Sequence, residues 1–411
     1  MGGPLEGVRI VDISTMLMAP YATQILGDMG ADVIKVEAPE GDAIRGIGPM
    51  RHPGMGAIAL HVNRSKRSIV LDLKHPEGIA AAKELVKGAD VLVYNLRPQS
   101  MARLGLDYEA VAAINPKIIY AGLFGFGQSG PYAAKPAFDD LIQGAVAVPW
   151  LAHLADGGEP RYTATAIVDR GVALWAVGQI TGALYYRSRS GRGQKIDMPM
   201  FEMMASFVLG DHLAGEAFEP PLGAAGYVRM LNEHRHPFRT RDGYICAMIY
   251  TDRHWRAFFR ALGREPEFDG DPRYRSMTSR TENIVALYGE LAGLLLTRTT
   301  DEWLALFLGA DVPAMPLHTL ESLLADPHLA ATGFFGVEDH PTEGRLRTMA
   351  YPSNWSVTQP GGTRPVPRPG EHSAEVLREI GYSDERIEAL LRSGATATAS
   401  PSSPERAATE T

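Results

Sequence analysis

Asp169 is the side chain whose chemistry and position most directly suggest a reaction. It follows a short apolar run at residues 166–168 and precedes a long apolar segment, residues 171–186, whose period predicts a buried helix. A carboxylate at a helix start has an ordinary structural role as an N-cap, where it accepts backbone N–H bonds and lies in the favourable field of the helix dipole. The local sequence by itself therefore does not establish that Asp169 is catalytic.

The residues after this predicted helix add a second feature. Residues 187–194, RSRSGRGQ, form a basic turn interrupted by glycine, and residues 195–198 alternate in polarity as a strand does. The segment as a whole resembles the class III CoA-transferases, the superfamily that contains formyl-CoA transferase, carnitine CoA-transferase and α-methylacyl-CoA racemase. In that family an Asp opens a long helix, the helix ends in a turn of the form S/T-G-x-G-Q, and a strand with an Asp and then a Met follows. The matching positions here are Asp169, residues 190–194, Asp197 and Met200.

The resemblance implies that Asp169 is the nucleophile of a CoA-transferase. The expected reaction moves CoA from an acyl-CoA thioester to the carboxylate of an organic acid, through an aspartyl anhydride and an aspartyl-CoA thioester. A carboxylate suits both steps because it is a modest nucleophile that becomes a good leaving group once acylated. Coenzyme A and acyl-CoA are then substrates, small carboxylic acids are the other partners, and no permanently bound cofactor is expected.

The composition is that of an ordinary globular enzyme. Hydrophobic residues make up 45% of the 411 residues and charged residues 21%, far from the composition of disordered chains. The formal net charge of −8 argues against generic nucleic-acid binding, and no apolar run is long enough to span a membrane. The N-terminal residues lack the pattern of a signal peptide, so we expect a cytoplasmic protein.

No metal site is predicted. The single cysteine, Cys246, excludes an intramolecular disulfide, and its surroundings at residues 244–249 predict a packing role in a buried strand. His234 and His236 share a strand face in a proline-bounded loop, but no third ligand accompanies them. A role in an active-site loop fits His236 better, because the family often has a His-Pro pair at this point.

Strand and helix patterns alternate through the N-terminal part of the chain. Strands are predicted at residues 8–13, 33–37, 68–73, 90–96 and 117–124, and helices at residues 20–28, 76–87 and 108–114. This alternation indicates βαβ units in a doubly wound, parallel sheet of Rossmann-like α/β class. We expect a large CoA-binding domain at residues 1–210, a smaller α+β domain at 222–335, a return segment at 336–394 and a disordered tail at 395–411. The resemblance, which covers residues 5–391, further implies an interlocked homodimer.

Residues 125–130 match the dinucleotide fingerprint G-x-G-x-x-G after a predicted strand. Pro131 and Tyr132 follow in place of a helix, and no acidic residue ends a second strand about twenty positions further on, so we reject a dinucleotide site. The resemblance instead places this run near the active site. Gly125, Gly127 and His236 are therefore expected in loops around the substrate, where backbone N–H groups of glycine would face an oxyanion.

Coenzyme A carries several phosphate charges, so its site needs arginine or lysine side chains and free backbone N–H groups. Cations are dense near two predicted strands, at Arg64, Lys66, Arg67, Lys74, Arg97 and Arg103. They are either solvated surface charges or ligands at the strand ends where α/β sheets bind phosphates. The resemblance selects Lys74 and Arg103 and adds further CoA contacts at Thr15, Leu17, Met18, Leu71, Leu104, Lys135, Phe138 and Met200. The family carries one basic residue shortly after the Gly-Pro-Tyr run, and that residue aligns with either Lys135 or Pro136 of this sequence.

The identity of the acceptor acid stays open. The loops at residues 150–162 and 223–238 depart most from the family pattern and are expected to decide it. Arg229, Arg235 and Arg239 are candidates to pair with its carboxylate. The apolar character of residues 150–158 favours an acid with some apolar bulk.

Two other functions are open at this point. An α-methylacyl-CoA racemase shares the fold but needs proton acceptors on both faces of the α-carbon. Racemases of this superfamily carry a His just before the Asp that follows the Gly-Pro-Tyr run, and the residue there in this sequence is Phe138. A non-catalytic acyl-CoA-binding protein would not need Asp169. Transfer of CoA between two carboxyl groups of one dicarboxylate is also compatible with the residues considered.

Overall fold

The structure is a computed structural model that describes residues 2–361 and 364–399. The chain divides into two compact units: unit 1 contains residues 1–142, 165–205 and 330–411, and unit 2 contains residues 143–164 and 206–329. Most of the tail predicted at 395–411, from residue 400 onward, lies outside the described residues.

The strands are named in chain order. They are β1 (Arg9–Ile13), β2 (Asp32–Glu37), β3 (Lys66–Leu71), β4 (Val91–Tyr94), β5 (Ile119–Phe124), β6 (Gln194–Pro199), β7 (Phe238–Arg239), β8 (Tyr244–Ala247), β9 (Ala314–Pro316), β10 (Phe335–His340), β11 (Gly344–Met349) and β12 (Thr396–Ala397).

The α-helices are named in the same way. They are α1 (Met18–Asp28), α2 (Ala57–Val62), α3 (Pro76–Lys87), α4 (Pro98–Arg103), α5 (Tyr108–Ile114), α6 (Asp139–Ala145), α7 (Val148–Asp156), α8 (Ile167–Ser190), α9 (Met200–His212), α10 (Asp252–Ala261), α11 (Glu265–Gly270), α12 (Met277–Glu282), α13 (Ile284–Leu295), α14 (Thr300–Gly309), α15 (Leu320–Leu324), α16 (Pro327–Ala331), α17 (Ser373–Glu379) and α18 (Asp384–Ser393). None of the helices in the described ranges is long and apolar enough to cross a membrane.

A parallel sheet forms the centre of unit 1. In the described part of the chain its strand order is β12-β3-β2-β1-β4-β5-β6, and every pairing is parallel except that of β12 with β3. The order reverses direction between β1 and β4, which is the switch point of a doubly wound sheet. The predicted α/β class with a large parallel sheet is therefore confirmed.

The sheet forms because its strands are apolar on both faces and helices cover them. Val11, Ile34 and Leu92 are fully buried, as parallel strands require. Helix α3 has the bounds predicted from its period, with Pro76 at the first helical position and the His75 side chain accepting the Glu77 N–H at the N-cap. The same core contains residues of α17 and α18, so the C-terminal segment completes unit 1.

The third strand differs from its prediction. It begins at Lys66 and ends at Leu71, whereas residues 68–73 were expected. Lys66 and Arg67 therefore lie inside the sheet and do not flank it. The apolar pattern did not predict this start, because both residues are cations that become buried only through ion pairs with other strands.

The prediction of disorder from residue 395 is wrong for the first tail residues. Thr396 and Ala397 form β12, which pairs with Leu71 and Val70 of β3. The Thr396 hydroxyl donates to the Val70 carbonyl at 2.6 Å, and Ser373 donates to the Ala397 carbonyl at 2.6 Å. An edge strand can be held by hydrogen bonds without core-forming side chains, which is why composition did not reveal it.

Unit 2 is built around an aromatic core. Trp255, Phe258, Trp303 and Phe307 are buried together, and strands β7, β8 and β9 form an antiparallel sheet. Residues 240–243 connect β7 and β8 as a hairpin. The unit also contains residues 143–164, which were expected in the large domain. The domain boundary was predicted from a change in amino-acid composition, and the contacts of residues 143–164 in the fold do not follow that change.

Candidate active site

Asp169 lies in the first turn of α8, two residues after the helix begins at Ile167. The N-cap position belongs to Ala166, which makes no side-chain capping bond, so the structure does not support the capping role. The N–H of Asp169 donates to the Oδ2 atom of Asp139 at 2.9 Å. Asp139 begins α6, and sequence reasoning did not select it. Two carboxyl groups are thus brought together at a helix start, where the dipole favours negative charge.

Burial and the neighbouring Asp139 carboxylate together raise the pKa of Asp169 from 3.8 to about 7, and the nearby Arg170 guanidinium lowers it only in part. Arg170 itself stacks over the ring of Tyr21, with 4.2 Å between its guanidinium carbon and the ring centroid. Desolvation and a like charge are the usual causes of such a shift, and strongly shifted carboxyls concentrate at reactive sites. Asp169 is therefore poised to change charge near neutral pH.

The connection from β1 to α1 runs through residues 14–17, and its backbone is fixed by side chains from three other segments. Lys35 Nζ donates to the Ser14 carbonyl at 2.7 Å, and the Met16 N–H donates to Asp42 Oδ1 at 2.9 Å. Asn95, just after β4, accepts the Thr15 N–H at 3.0 Å and donates to the Thr15 carbonyl at 2.7 Å. Met16 has a φ of 65°, a left-handed conformation that non-glycine residues rarely adopt without such support.

A buried ion-pair network lies behind this connection. Lys35 pairs with Asp42 at 2.9 Å, Lys66 pairs with Asp12 at 3.1 Å, and their side chains are at most 1% exposed. Burial alone would raise the pKa of Asp12, but Lys66 and Lys35 outweigh it, so the pKa is lowered. These charges hold the ends of β1, β2 and β3 together. They are not free to bind a ligand.

The two cations selected for CoA have a different setting. Lys74 follows β3, Arg103 ends α4 after β4, and both side chains are exposed. Within the described ranges neither has a carboxylate partner, and Arg103 only donates to Ser100 Oγ at 3.0 Å. Arg64 and Arg67, by contrast, pair with Asp28 and Asp32. The structure thus separates free cations from structural ones.

The glycine run after β5 is shaped by close packing. A Cβ at Gly125 would overlap the Cβ of Ala137, so only glycine fits there. The Gly127 N–H donates to Glu202 Oε1 at 2.9 Å. The expectation that this amide faces an oxyanion is wrong in this structure, because Glu202 of α9 already occupies it. No local signal links residues 127 and 202, which are neighbours only in the fold.

CoA-transferase family III matches residues 5–373 of this sequence. This chain belongs to that family. The succinate–glutarate CoA-transferase of Agrobacterium fabrum is 34% identical over 392 aligned positions, covering 92% of this chain and 96% of that protein. The formyl-CoA:oxalate CoA-transferase of Escherichia coli is 28% identical and covers 96% and 100%. A solved CaiB/BaiF family protein from Brucella suis superposes with a TM-score of 0.73 and 31% identity, covering 92% of this chain and all of that one.

The other expected CoA contacts differ in their exposure to solvent. Thr15, Lys135 and Phe138 are exposed, and Leu17 and Leu104 are half-buried. Lys135 places its ammonium 3.9 Å from the centroid of the Tyr132 ring. Met18, Leu71 and Met200 are only 5%, 1% and 3% exposed. Their side chains pack in the interior of unit 1, and their assignment as CoA contacts remains a prediction.

In unit 2 the cysteine prediction is wrong. Cys246 is exposed, although it does lie on β8, because strand alternation turns Ile245 inward and Cys246 outward. His236 is also exposed, and its Nδ1 lies 2.9 Å from the Pro237 carbonyl oxygen. No group of three or more His, Cys, Asp or Glu side chains within residues 2–361 and 364–399 is arranged to hold a metal.

Proposed function

We propose that this chain transfers CoA from an acyl-CoA thioester to the carboxylate of a small organic acid, with Asp169 as the covalent nucleophile. The observation that carries the proposal is the Asp169–Asp139 pair at the start of α8, in a member of CoA-transferase family III. A carboxylate with a pKa of about 7 is more basic, and hence a better nucleophile once ionised, than an ordinary surface aspartate.

The transfer proceeds in four displacements that conserve charge. An Asp169 oxygen attacks the thioester carbonyl and expels CoA thiolate, which leaves a mixed anhydride. The thiolate attacks the aspartyl carbonyl of that anhydride and releases the donor acid as its carboxylate. The acceptor carboxylate then attacks the resulting aspartyl-CoA thioester and again expels the thiolate. The thiolate finally attacks the acceptor carbonyl, which forms the new acyl-CoA and frees Asp169.

We assign CoA recognition to the strand ends of unit 1. Lys74 and Arg103 supply exposed cations that no described carboxylate neutralises, and they suit the phosphates of CoA. The connection at residues 14–17 is held by hydrogen bonds before any ligand is present, and such preorganisation lowers the entropic cost of binding. Thr15, Met16 and Leu17 are the members of that connection within reach of solvent, whereas Ser14 is buried.

The donor and acceptor are proposed to be small carboxylic acids. The relatives from A. fabrum and E. coli carry succinate and glutarate, and formyl-CoA and oxalate, in their names. These acids differ in length but share a carboxylate, which is the group that the proposed chemistry requires.

We also propose that two copies of the chain associate. Helix α8 was expected to be buried, but only one side of it is. The opposite side exposes Leu174, Trp175, Tyr185 and Tyr186, spaced so that they form one stripe, and no atom of the described residues lies within 4 Å of a Cβ built at Gly178 or Gly182. An apolar stripe of this size with small residues between suits close contact with a second copy. The mass of the protein in solution, measured by light scattering, tests this assignment.

A racemase function is less well supported. Phe138 stands immediately before Asp139 and cannot accept a proton, so a second base on the opposite face of an α-carbon is not supplied from that position. Exchange of the α-hydrogen with deuterium oxide in an acyl-CoA would favour the racemase over the transferase.

Mass spectrometry of intact protein and peptides tests the proposal directly. The protein is incubated with succinyl-CoA and other acyl-CoA thioesters and then treated with hydroxylamine, which converts an aspartyl thioester or anhydride to a hydroxamate. We expect a CoA adduct or hydroxamate on the peptide that contains Asp169, lost in Asp169→Ala and retained in the control Asp211→Ala. Tight CoA binding without any adduct would favour a non-catalytic acyl-CoA-binding protein.

A further inference from the structure

Unit 2 contains a cavity of about 430 Å³ beside the hairpin of β7 and β8. Its walls include Arg229, Arg235, His236, Phe238, Met248 and Met315. The other lining residues are alanine, proline, cysteine and tyrosine, so none of the described carboxylates contributes to the wall. The cavity therefore has a positive local charge and otherwise apolar sides.

The arginines of this cavity differ from many others in the same unit. Arg253 pairs with Asp311 at 2.8 Å, and Arg273 pairs with Asp271 at 2.7 Å. Within the described part of the chain, Arg229 and Arg235 have no carboxylate within ion-pair distance. An arginine that lines a cavity without an internal counter-charge is suited to an anion from outside.

Arg229 is held in position while part of its guanidinium stays unused. One terminal nitrogen lies 3.1 Å from Met248 Sδ, and the group stacks on the Tyr250 ring at 4.9 Å. Its Nε atom is buried and has no hydrogen-bond partner among the described residues. A buried donor without a partner is costly unless a ligand satisfies it.

We propose that this cavity binds an aliphatic carboxylic acid, with the carboxylate at Arg229 and Arg235 and the carbon chain against Phe238, Met248 and Met315. Phe238 is buried and the two methionines are flexible, so the walls can accommodate short chains of different length. This inference rests on the proposed transferase function, for which the bound acid is the acceptor. Arg239, expected to share in this role, does not line the cavity and is left out.

Cys246 provides a reporter that needs no catalytic activity. It lines the same cavity, it is exposed, and it is the single cysteine of the chain. Alkylation by neutral iodoacetamide or anionic iodoacetate therefore labels one position. We expect glutarate and pentanoate at saturating concentration to slow labelling by iodoacetamide at least fivefold, whereas pentanamide, the neutral isostere of pentanoate, leaves the rate unchanged.

Substitutions of the arginines sharpen this test. In Arg229→Gln and in Arg235→Gln we expect the protection to be lost, and we expect the rate ratio of iodoacetate to iodoacetamide to fall. Arg275→Gln removes an exposed arginine of unit 2 that does not line the cavity, and should behave as wild type. Arg235 is exposed, so its variant remains informative if Arg229→Gln fails to fold. Equal protection in wild type and both variants, or no protection by either acid, would overturn the proposal.

A second measurement separates this inference from the transferase proposal. With acetyl-CoA as donor, whose acyl group has no free carboxylate, the CoA adduct on Asp169 should still form in Arg235→Gln, while its discharge by the acceptor acid should require at least a tenfold higher acid concentration. If the acid concentration needed for discharge is unchanged, the assignment of the cavity as the acceptor site is wrong. The assignment of Asp169 as the nucleophile is unaffected by that result. Failure of wild type to form any adduct contradicts the transferase proposal, and the Cys246 protection still decides whether the cavity binds carboxylates.

Discussion

Unit 1 contains carboxyl groups shielded from solvent in two places, and the charges that surround them are opposite. Asp12 and Glu37, near the ends of the parallel strands, are buried, but lysine and arginine partners more than offset that burial and lower their pKa values. Asp169 is half-buried beside another carboxyl, and its pKa rises to about 7. Burial acts in the same direction in both places. The neighbouring charge decides whether a carboxylate becomes a structural ion or a reactive group.

The largest expected effect is the loss of transfer when the reactive carboxyl is removed. Asp169→Ala should reduce the turnover number on the order of 10⁴-fold or more, as removal of a covalent nucleophile usually does. Steady-state transfer from succinyl-CoA to glutarate measures it. If the variant retained a tenth of wild-type activity, Asp169 would not be the nucleophile. The contrast between a reactive Asp169 and the structural Asp12 and Glu37 would then be lost.

The structural set is tested by stability. Lys35→Met removes the cation that pairs with Asp42 and faces Asp12, leaving buried negative charge without compensation. We expect the free energy of unfolding to fall by about 3–5 kcal/mol, as measured by urea denaturation. The matched control is Lys87→Met, which breaks the exposed pair with Glu84 and should cost less than about 1 kcal/mol. Equal effects would mean that the buried network is not a principal source of stability.

The reactive set is tested by pH. Asp139→Asn keeps an oxygen that can accept the Asp169 N–H but removes the like charge, so the pKa of Asp169 should fall from about 7. The rate of adduct formation should rise as Asp169 ionises, and the midpoint of that rise should move to lower pH by roughly one unit. Asp140→Asn, at an exposed position, is the control. An unchanged midpoint would show that burial alone sets the pKa.

The same shift predicts a dependence of stability on pH, with its sign fixed. The pKa of Asp169 is higher in the folded chain than its ordinary value of 3.8, so folding favours the protonated form. Wild type should lose stability as pH rises from about 4 to about 7, and no further from this group above that range. Asp169→Asn cannot ionise at this position and so lacks this loss. The difference in free energy of unfolding, variant minus wild type, should therefore be larger at pH 8 than at pH 4. Thermal or urea unfolding at the two pH values measures the difference.

The smallest expected effect concerns the cations outside the buried network. Arg103→Gln and Lys74→Gln should each raise the Michaelis constant for acyl-CoA about 3- to 10-fold without lowering the turnover number, because exposed charges bind phosphates in competition with solvent. The salt dependence of that constant should also become weaker. Lys87→Gln serves as the surface control. A change in the turnover number alone would argue that these residues act on Asp169 and not on CoA.

Much of unit 1 follows from local sequence. The period of residues 76–87 gives α3 with its observed bounds, and the alternation of strands and helices gives the parallel sheet. The start of β3 cannot be predicted from local sequence, because Lys66 and Arg67 are buried through ion pairs with Asp12 and Asp32, which lie on other strands. The edge strand at Thr396 does not follow either, since its partner is more than three hundred residues away in sequence.

The sequence by itself determined that a carboxylate stands at the start of a long apolar helix, within a pattern that predicts CoA transfer. Periodicity and turn residues are local properties, so they can be read from neighbouring positions. Only the tertiary structure decided that Asp139 faces Asp169, that Glu202 accepts the Gly127 N–H, and that Arg229 and Arg235 line a cavity to which no described residue adds a counter-charge. Electrostatic interactions act through space, and a residue's charged neighbours are known only when distant segments have been brought together.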